Sequence, residues 1–447
     1  MKSGIFASLD IGTTSIKVIV AEVDNNQLNI IGVGNAPTNG VSRGMIVDIE
    51  ETVESIEKAV KQAEEQSGVS IKSVVVGLLP NNVHMDHCYG SVSVDDPEKE
   101  ITVKDVRAVI DRATGNILPN DVEIIAVHAH EFIVDGFEGI QDPRGMIGKR
   151  LEMDGTVTSI PRSVLHNIRK SVERAGLMIR QFVLYPEATG QLALSDDERM
   201  FGTVLIDLGG GQTTASAIHD NEVKFTKVVD EGGEYVTQDI SIVLNTSVKN
   251  AEQLKKEVGQ AYYELANGDR VIQVEVVGQK EPISVRETYI SEIIEARMLQ
   301  IFDQLKAALD EIEALKLPGG IVISGGSSSL AGVEALMESH FNVRVKKYIP
   351  DYMGVRYPMY SNAISLAYYT SQQSEIQLLI NLIIADKLGL GQVSADIVPA
   401  EHIDLSHGSQ SQSSDKQEVR KADKVKKEKS SEKMTDAIKD FFAGFFE

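Results

Sequence analysis

The sequence predicts an α/β protein of two related lobes, with a small α+β subdomain inserted in the first lobe and a second small subdomain on the second. Three stretches carry that prediction. An apolar run at 204–206 leads into Asp207, Leu208, then Gly209, Gly210 and Gly211, then Gln212, Thr213 and Thr214. The same design stands near the start: Ala7-Ser8-Leu9, Asp10, Ile11, Gly12, Thr13, Thr14, Ser15, with Val18-Ile19-Val20 as the return strand. A third glycine turn, Ser324-Gly325-Gly326-Ser327-Ser328, follows the apolar strand 321–323. Apolar runs of this length read as buried strands. Glycines permit a tight reversal and let backbone N–H groups approach a ligand without a Cβ in the way. Two Asp–Gly hairpins roughly two hundred residues apart imply two lobes facing one ligand.

The elements follow in order. Residues 4–34 read as consecutive strands, with Asp24-Asn25-Asn26 as the hairpin signal. A helix over 49–66 puts Val53, Ile56, Val60 and Ala63 on one face, and Gly68 ends it. Val74-Val75-Val76 is a buried strand. Residues 82–159 change character: strand-like segments at 90–94, 124–133 and 150–158 surround one helix over 103–114, with breaks at Pro119 and Pro143. This is the inserted subdomain. A helix over 162–175 and a strand at 182–184 return to the first lobe, which takes residues 1–81, 160–192 and 357–390. A helix over 187–194 leads to the central hairpin. The second lobe takes 193–231 and 291–356, and its small subdomain takes 232–290, with a helix at 250–259 and a strand at 271–277. The segment 286–314 is a long amphipathic helix with Ile290, Ile293, Ile294, Met298, Ile301, Leu305 and Leu309 on one stripe. Helices over 329–340 and 358–370 close the lobes.

Bulk composition narrows the class. The chain has 447 residues, too many for one ordinary core, and 42% are hydrophobic. A net charge of −22 speaks against a nucleic-acid partner, which calls for a basic face. The single cysteine, Cys88, cannot form an internal disulfide, which fits a reducing compartment. No stretch approaches the roughly 18 apolar residues that span a bilayer, and 5–9 is too short for a signal peptide. A cytoplasmic protein is expected.

The C-terminus departs from a globular pattern. Residues 405–432 are dominated by Ser, Gln, Lys, Asp and Glu and are expected to be a disordered linker. In 433–447, Met434, Ala437, Ile438, Phe441, Phe442 and Phe445 fall at helical spacing, and Phe446 adds to them. Four of the twelve phenylalanines sit in the last seven residues. A helix this short is marginal in water and folds where its apolar face finds a home. Docking on a protein groove is one reading. An interfacial membrane anchor is the sharper one. At about 1.5–3 kcal/mol per buried side chain, the face offers on the order of 10 kcal/mol before ordering reduces it. The helix itself is not basic, so Lys424, Lys426, Lys427 and Lys429 must supply the attraction to anionic lipid.

The three glycine turns resemble the phosphate-1, phosphate-2 and adenosine motifs of the superfamily of actin, Hsp70 and sugar kinases. With the inserted subdomain, linker and terminal helix, the whole chain resembles the FtsA family, bacterial actin-like proteins of cell division. Val134-Asp135-Gly136 and the segment 139–148 look like that family's own segments. The resemblance implies a two-lobed actin-like ATPase fold that binds ATP and Mg²⁺. It also implies tethering of the FtsZ ring, through the FtsZ C-terminal tail, to the cytoplasmic face of the membrane at the division site. Self-association into actin-like filaments and recruitment of later division proteins through 82–159 follow from it too.

Site residues carry over one at a time. Asp10, Gly12, Thr13 and Thr14 match the first phosphate turn; Asp207, Gly209, Gly210, Gly211 and Thr213 match the second. Asp10 and Asp207 are expected to hold Mg²⁺ through water. Lys17 either reaches phosphate or is a surface strand lysine. Gly325, Gly326 and Ser327 match the adenosine turn. Gly232 and Gly233 precede Glu252 and Lys255, a pair that meets ribose and adenine in relatives and is otherwise a solvated ion pair. Some relatives place a water-orienting Glu just before a Pro; Tyr185 stands there, before Pro186, so ATP turnover is expected to be slow or absent. For the FtsZ tail, Arg286 is the first candidate, then Arg297, Lys249 and Arg270, each with the alternative of an ordinary surface charge. His84, His87 and Cys88 lack a second ligand group for a metal. His128 and His130 share a strand face and read as structural. A sugar or acetate kinase needs a catalytic acid or base that does not stand out. An Hsp70-like chaperone needs a substrate domain after the second lobe. An actin-like pilus or shape protein is the closest alternative.

Overall fold

A computed structural model describes residues 4–24, 27–94, 100–115 and 121–390. In the first lobe, β1 (Gly4–Ile11), β2 (Ser15–Asp24) and β3 (Gln27–Pro37) form an antiparallel meander. A short hairpin, β4 (Val41–Ser42) and β5 (Met45–Ile46), leads to α1 (Ile49–Ser67). Asp48 caps α1 by accepting from Glu51 N–H, and Gly68 ends it at φ 71°. The helix lies directly on the sheet because β3 offers glycine there: a Cβ on Gly34 would stand 1.8 Å from Ala59 O. β6 (Ser73–Leu78) then pairs parallel to β1.

The inserted subdomain follows. β7 (His84–Ser93), α2 (Val103–Thr114), β8 (Val122–Val134), β9 (Phe137–Ile140) and β10 (Arg150–Pro161) make a sheet in the order β7-β10-β8-β9 with α2 on one face. The chain returns through α3 (Arg162–Arg174) and β11 (Met178–Leu184), which completes the first sheet as β11-β6-β1-β2-β3. α4 (Tyr185–Ala193) starts two residues before the predicted helix, because Pro186 is admitted in a first turn. The small α5 (Asp196–Phe201) enters the second lobe.

There the first sheet's plan repeats. β12 (Thr203–Leu208), β13 (Thr213–His219) and β14 (Glu222–Val229) form the antiparallel meander. α6 (Gly233–Val243), α7 (Val248–Val258), β15 (Val271–Val274) and β16 (Ile283–Arg286) build the small subdomain. The long α8 (Glu287–Glu311) buries Ile290, Ile294, Met298, Ile301, Leu305 and Leu309 of the predicted stripe, while Ile293 is half-buried at its edge. β17 (Ile321–Ser324), α9 (Val333–Phe341) and β18 (Val345–Lys347) give the sheet order β14-β13-β12-β17-β18. The two lobes thus share one topology, with the hairpin acid of each on its central strand.

α10 (Ser361–Gln372) crosses back, packing on β1, β2, β6 and α4. The sequence did not resolve the last described helix, α11 (Glu375–Lys387). Its Ile376, Leu379, Ile380, Ile383 and Ile384 complete the inserted subdomain's core with Val106, Ile110, Phe132 and Met153. The linker 405–432 and the amphipathic segment 433–447, with Met434, Ile438, Phe441, Phe442, Phe445 and Phe446, lie outside the described residues.

Candidate functional site

The two Asp–Gly turns meet face to face at the centre of a cleft of about 1160 Å³. β1 delivers Asp10, and the chain reverses at Gly12, where a Cβ would stand 2.8 Å from Ser15 O. β12 delivers Asp207, and Gly209 N–H closes the second turn on Gln212 O at 3.0 Å. A Cβ on Gly210 would stand 2.5 Å from Thr14 Cγ2, and one on Gly211 2.5 Å from Thr13 Cγ2. Glycine in the second turn is therefore what lets the first turn's threonines touch it.

The third turn joins them. β17 pairs parallel to β12, setting Ser324 beside Asp207. Gly325 adopts φ 87°, and a Cβ there would collide with Asp207 Oδ1 at 2.1 Å. Ser327 Oγ donates to Gly209 O at 2.9 Å. From the other side, Gly233 N–H donates to Gly209 O at 3.0 Å and Glu234 N–H to Gly210 O at 2.8 Å. Gly232 lies beneath the turn, its missing Cβ leaving room for Gly210 O. Gly326 lines the cleft beside it.

Charge is concentrated at the turns. Tyr185 Oη donates to Asp10 Oδ1 at 2.7 Å and Lys17 Nζ to Asp10 Oδ2 at 3.2 Å. Lys17 is 6% exposed, so it is a cleft residue and not a surface lysine. Asn362 Nδ2 of α10 donates to Asp207 Oδ2 at 2.8 Å. Asp207 Oδ1 is buried with no hydrogen-bond partner among the described residues. Burial pushes the Asp207 carboxyl above its ordinary value; the Asn362 hydrogen bond and Lys17 oppose that, and the charge of Asp10 adds to it. Burial and then Asp10 hold the Tyr185 phenol well above its usual value, so it stays a donor. An orphaned carboxylate oxygen beside a glycine cradle suits a hydrated divalent cation bridging to an anion.

At the other end, Lys255 Nζ lies 2.7 Å from Glu252 Oε2 and donates to Gly233 O at 2.8 Å and Thr237 Oγ1 at 2.7 Å. Glu252 and Lys255 are an ion pair and line the cleft at once; the lysine side chain is only 14% exposed. Burial lowers the Lys255 ammonium from its ordinary value against the pull of Glu252.

Some expected residues stand elsewhere. Thr213 Oγ1 donates to Glu231 O at 2.9 Å, away from the cleft, while Thr214 lines it. The strand alternation puts neighbouring hydroxyls on opposite faces. Arg297 is not an open surface charge: its guanidinium is paired with Asp239 at 2.6 Å and Glu231 at 2.8 Å and lies over the Tyr235 ring. Arg270 is exposed but bonded to Glu287 at 3.2 Å. Arg286 and Lys249 are exposed, and neither has an ion pair among the described residues. His128 Nε2 lies 3.5 Å from Glu187 Oε2, which turns that glutamate toward the inserted subdomain. His130 Nε2 reaches Glu222 of the second lobe at 2.8 Å. Sequence reasoning named Thr214 only as part of the second turn's stretch and missed Gln212, Thr237 and Asn362 as cleft residues.

Residues 204–365 match the family model described as Cell division protein FtsA, and residues 81–159 match the SHS2 domain inserted in FTSA. Over 449 residues the chain is 47% identical to Cell division protein FtsA of Enterococcus hirae, covering 100% of each. It is 40% identical over 373 residues to Cell division protein FtsA of Bacillus subtilis, covering 83% of this chain and 85% of that one. Among solved structures, the PilM–PilN type IV pilus biogenesis complex aligns at TM-score 0.54 and 16% identity, covering 83% of this chain and 99% of that one. MreB5 of Spiroplasma citri bound to ADP aligns at TM-score 0.50 and 13% identity, covering 82% and 95%. Those two likenesses are of fold, and the fold is the two-lobed actin-like one. With full-length identity of 47% to a curated relative and both family domains in place, the chain belongs to the FtsA family of cell division proteins.

Proposed function

We propose that this FtsA-family chain is an ATP-binding adaptor of bacterial cell division. It tethers the FtsZ ring to the cytoplasmic face of the membrane at the division site through the C-terminal amphipathic helix, as a peripheral protein. It assembles into actin-like filaments and helps recruit later division proteins through the inserted subdomain. The observation that carries the nucleotide part is the meeting of three glycine turns around Asp10 and Asp207.

In this reading the N–H groups and hydroxyls of Gly12, Thr13, Thr14, Gly210 and Gly211 take the phosphates, with Lys17 as the nearby cation and the Gly209 N–H spent on closing its own turn. Gly325, Gly326 and Ser327 border the adenosine, and Glu252 and Lys255 the ribose and base. Asp10 and Asp207 are the carboxylates for a hydrated Mg²⁺, whose contribution when bound is to neutralise phosphate charge. The residue ahead of Pro186 is a phenol locked onto Asp10, and Glu187 turns to His128, so neither is set to orient an attacking water. Slow or absent hydrolysis follows. The FtsZ tail docks on the small subdomain near Arg286 and Lys249, whose charges remain available.

Co-sedimentation with anionic liposomes and ATP, with and without an FtsZ tail peptide, tests this. The peptide should reach the vesicles only through this protein and only when 433–447 are present. A truncated chain that still pellets with liposomes overturns the anchor. Vesicle binding without peptide recruitment overturns the FtsZ role and favours a pilus- or shape-type function.

A further inference from the structure

The two carboxylates at the turns are not equivalent. Both oxygens of Asp10 are engaged, Oδ1 by Tyr185 Oη at 2.7 Å and Oδ2 by Lys17 Nζ at 3.2 Å. Asp207 uses only Oδ2, accepting from Asn362 Nδ2 at 2.8 Å, and its buried Oδ1 has no partner among the described residues. A carboxylate that accepts from an ammonium and a hydroxyl has its charge compensated, and has less to offer a cation or its waters.

The phenol cannot easily leave. Tyr185 opens α4 and packs with Val75, Val183, Ala188, Leu366 and Tyr369. Its ring presses against Gly77, where a Cβ would stand 2.1 Å from Tyr185 Cε1. Asp10 Oδ1, the atom it holds, faces the first turn, 3.9 Å from where a Gly12 Cβ would be.

We propose that Tyr185 is a positioning residue that locks Asp10 against the first turn, leaving Asp207 as the carboxylate that meets the divalent cation accompanying a bound nucleotide. The proposal rests on the nucleotide-binding reading and assigns unequal roles to two acids that the sequence presents as a matched pair. Tyr185→Phe removes one oxygen and keeps the ring in its packing. Asp10 Oδ1 is then free, and the cation gains a second carboxylate.

The test is the dissociation constant of a fluorescent ATP analogue for the full-length chain, measured in EDTA and in excess MgCl₂. A merely structural lesion weakens binding in both conditions. The ratio of the two constants moves only if cation contacts change. In the wild type, Mg²⁺ should tighten binding. Asp207→Asn should bring the ratio close to one, and Asp10→Asn should leave most of it. Tyr185→Phe should raise it by up to about tenfold, the worth of one charge-assisted hydrogen bond.

The proposal is overturned if Tyr185→Phe leaves the ratio unchanged, if Asp10→Asn abolishes it as fully as Asp207→Asn, or if the wild-type ratio is itself near one. Circular dichroism melts check that each variant is folded, and Asp10→Asn and Asp207→Asn decide the matter should Tyr185→Phe not fold. A wild type that binds no nucleotide in either condition removes the underlying reading as well. Binding with an unresponsive ratio removes only the role of Tyr185.

Discussion

Asp207→Asn should stabilise the ligand-free protein while removing its response to Mg²⁺. The buried Oδ1 of Asp207 has no hydrogen-bond partner among the described residues, and Asp10 lies close enough to raise its carboxyl further. An acid whose folded pKa is raised destabilises the fold in its ionised form. That penalty grows as pH rises from the ordinary carboxylate range through the folded value, and it is fully present above it. The amide keeps the Asn362 hydrogen bond through its own oxygen and carries no charge. The amide nitrogen stands where Oδ1 stood and is as unpaired as the oxygen it replaces, so the gain comes from the removed charge alone and should be no more than about 1 kcal/mol. In a chain this long that is a rise of about 1–3 °C in apparent Tm. Saturation at a hundredfold over the dissociation constant adds about 2.7 kcal/mol, and that gain should fall mainly to the wild type when Mg²⁺ is present. Differential scanning fluorimetry at one scan rate, in EDTA and in Mg-ATP, should show the two proteins exchanging rank. A variant that melts below the wild type in EDTA, yet gains as much from Mg-ATP, would refute the argument that Asp207 is strained for the cation.

Four further outcomes are expected. Gly210→Ala puts a Cβ 2.5 Å from Thr14 Cγ2 and forces that side chain to turn in the cleft, so nucleotide affinity should fall while far-UV circular dichroism stays unchanged. Arg286→Glu should weaken FtsZ tail binding in fluorescence anisotropy with no change in melting temperature. Arg297→Ala should do the converse, because freeing Asp239 and Glu231 costs about 1–3 kcal/mol of stability. Burial opposes protonation of His128, but the carboxylates of Glu187 and Glu222 outweigh it and its pKa is raised. With a raised folded pKa, the contact contributes fully below the ordinary histidine value and is lost as pH rises through the folded one. Glu187→Gln should therefore lower the urea midpoint more at pH ~6 than at pH ~8.5, with His130, Asp154 and Glu222 as the other titratable groups beside that contact.

What the sequence revealed, and what it hid, follow from how local each piece of chemistry is. A strand, an acid, glycines and hydroxyls at adjacent positions declare a turn, so the meeting of 10–14 with 207–211 was legible without coordinates. Which hydroxyl faces the cleft was not, because β13 is buried on both faces from Thr213 to Ile218 and shows no polar side to set its register. Asn362 reaches Asp207 from 155 positions away, and Asp239 takes Arg297 from 58, separations that no periodicity reports. α11 was hidden for a related reason. A helix with one apolar stripe announces itself, but α11 is apolar nearly all round. Five of its residues fill the inserted subdomain, Leu378 packs on Phe6 and Val23, and Ala385 joins the first-lobe core. Ion pairs from Arg144 to Glu375, Arg107 to Asp386 and Lys387 to Asp111 pin its outer side. Arg169 of α3 donates to Leu388 O and Gly389 O at 2.7 Å each, tying off its end. The segment that leads toward the amphipathic terminus thus departs from a helix shared by three cores. Any pull on that segment bears first on the seam between the first lobe and its inserted subdomain, where His128 also meets Glu187.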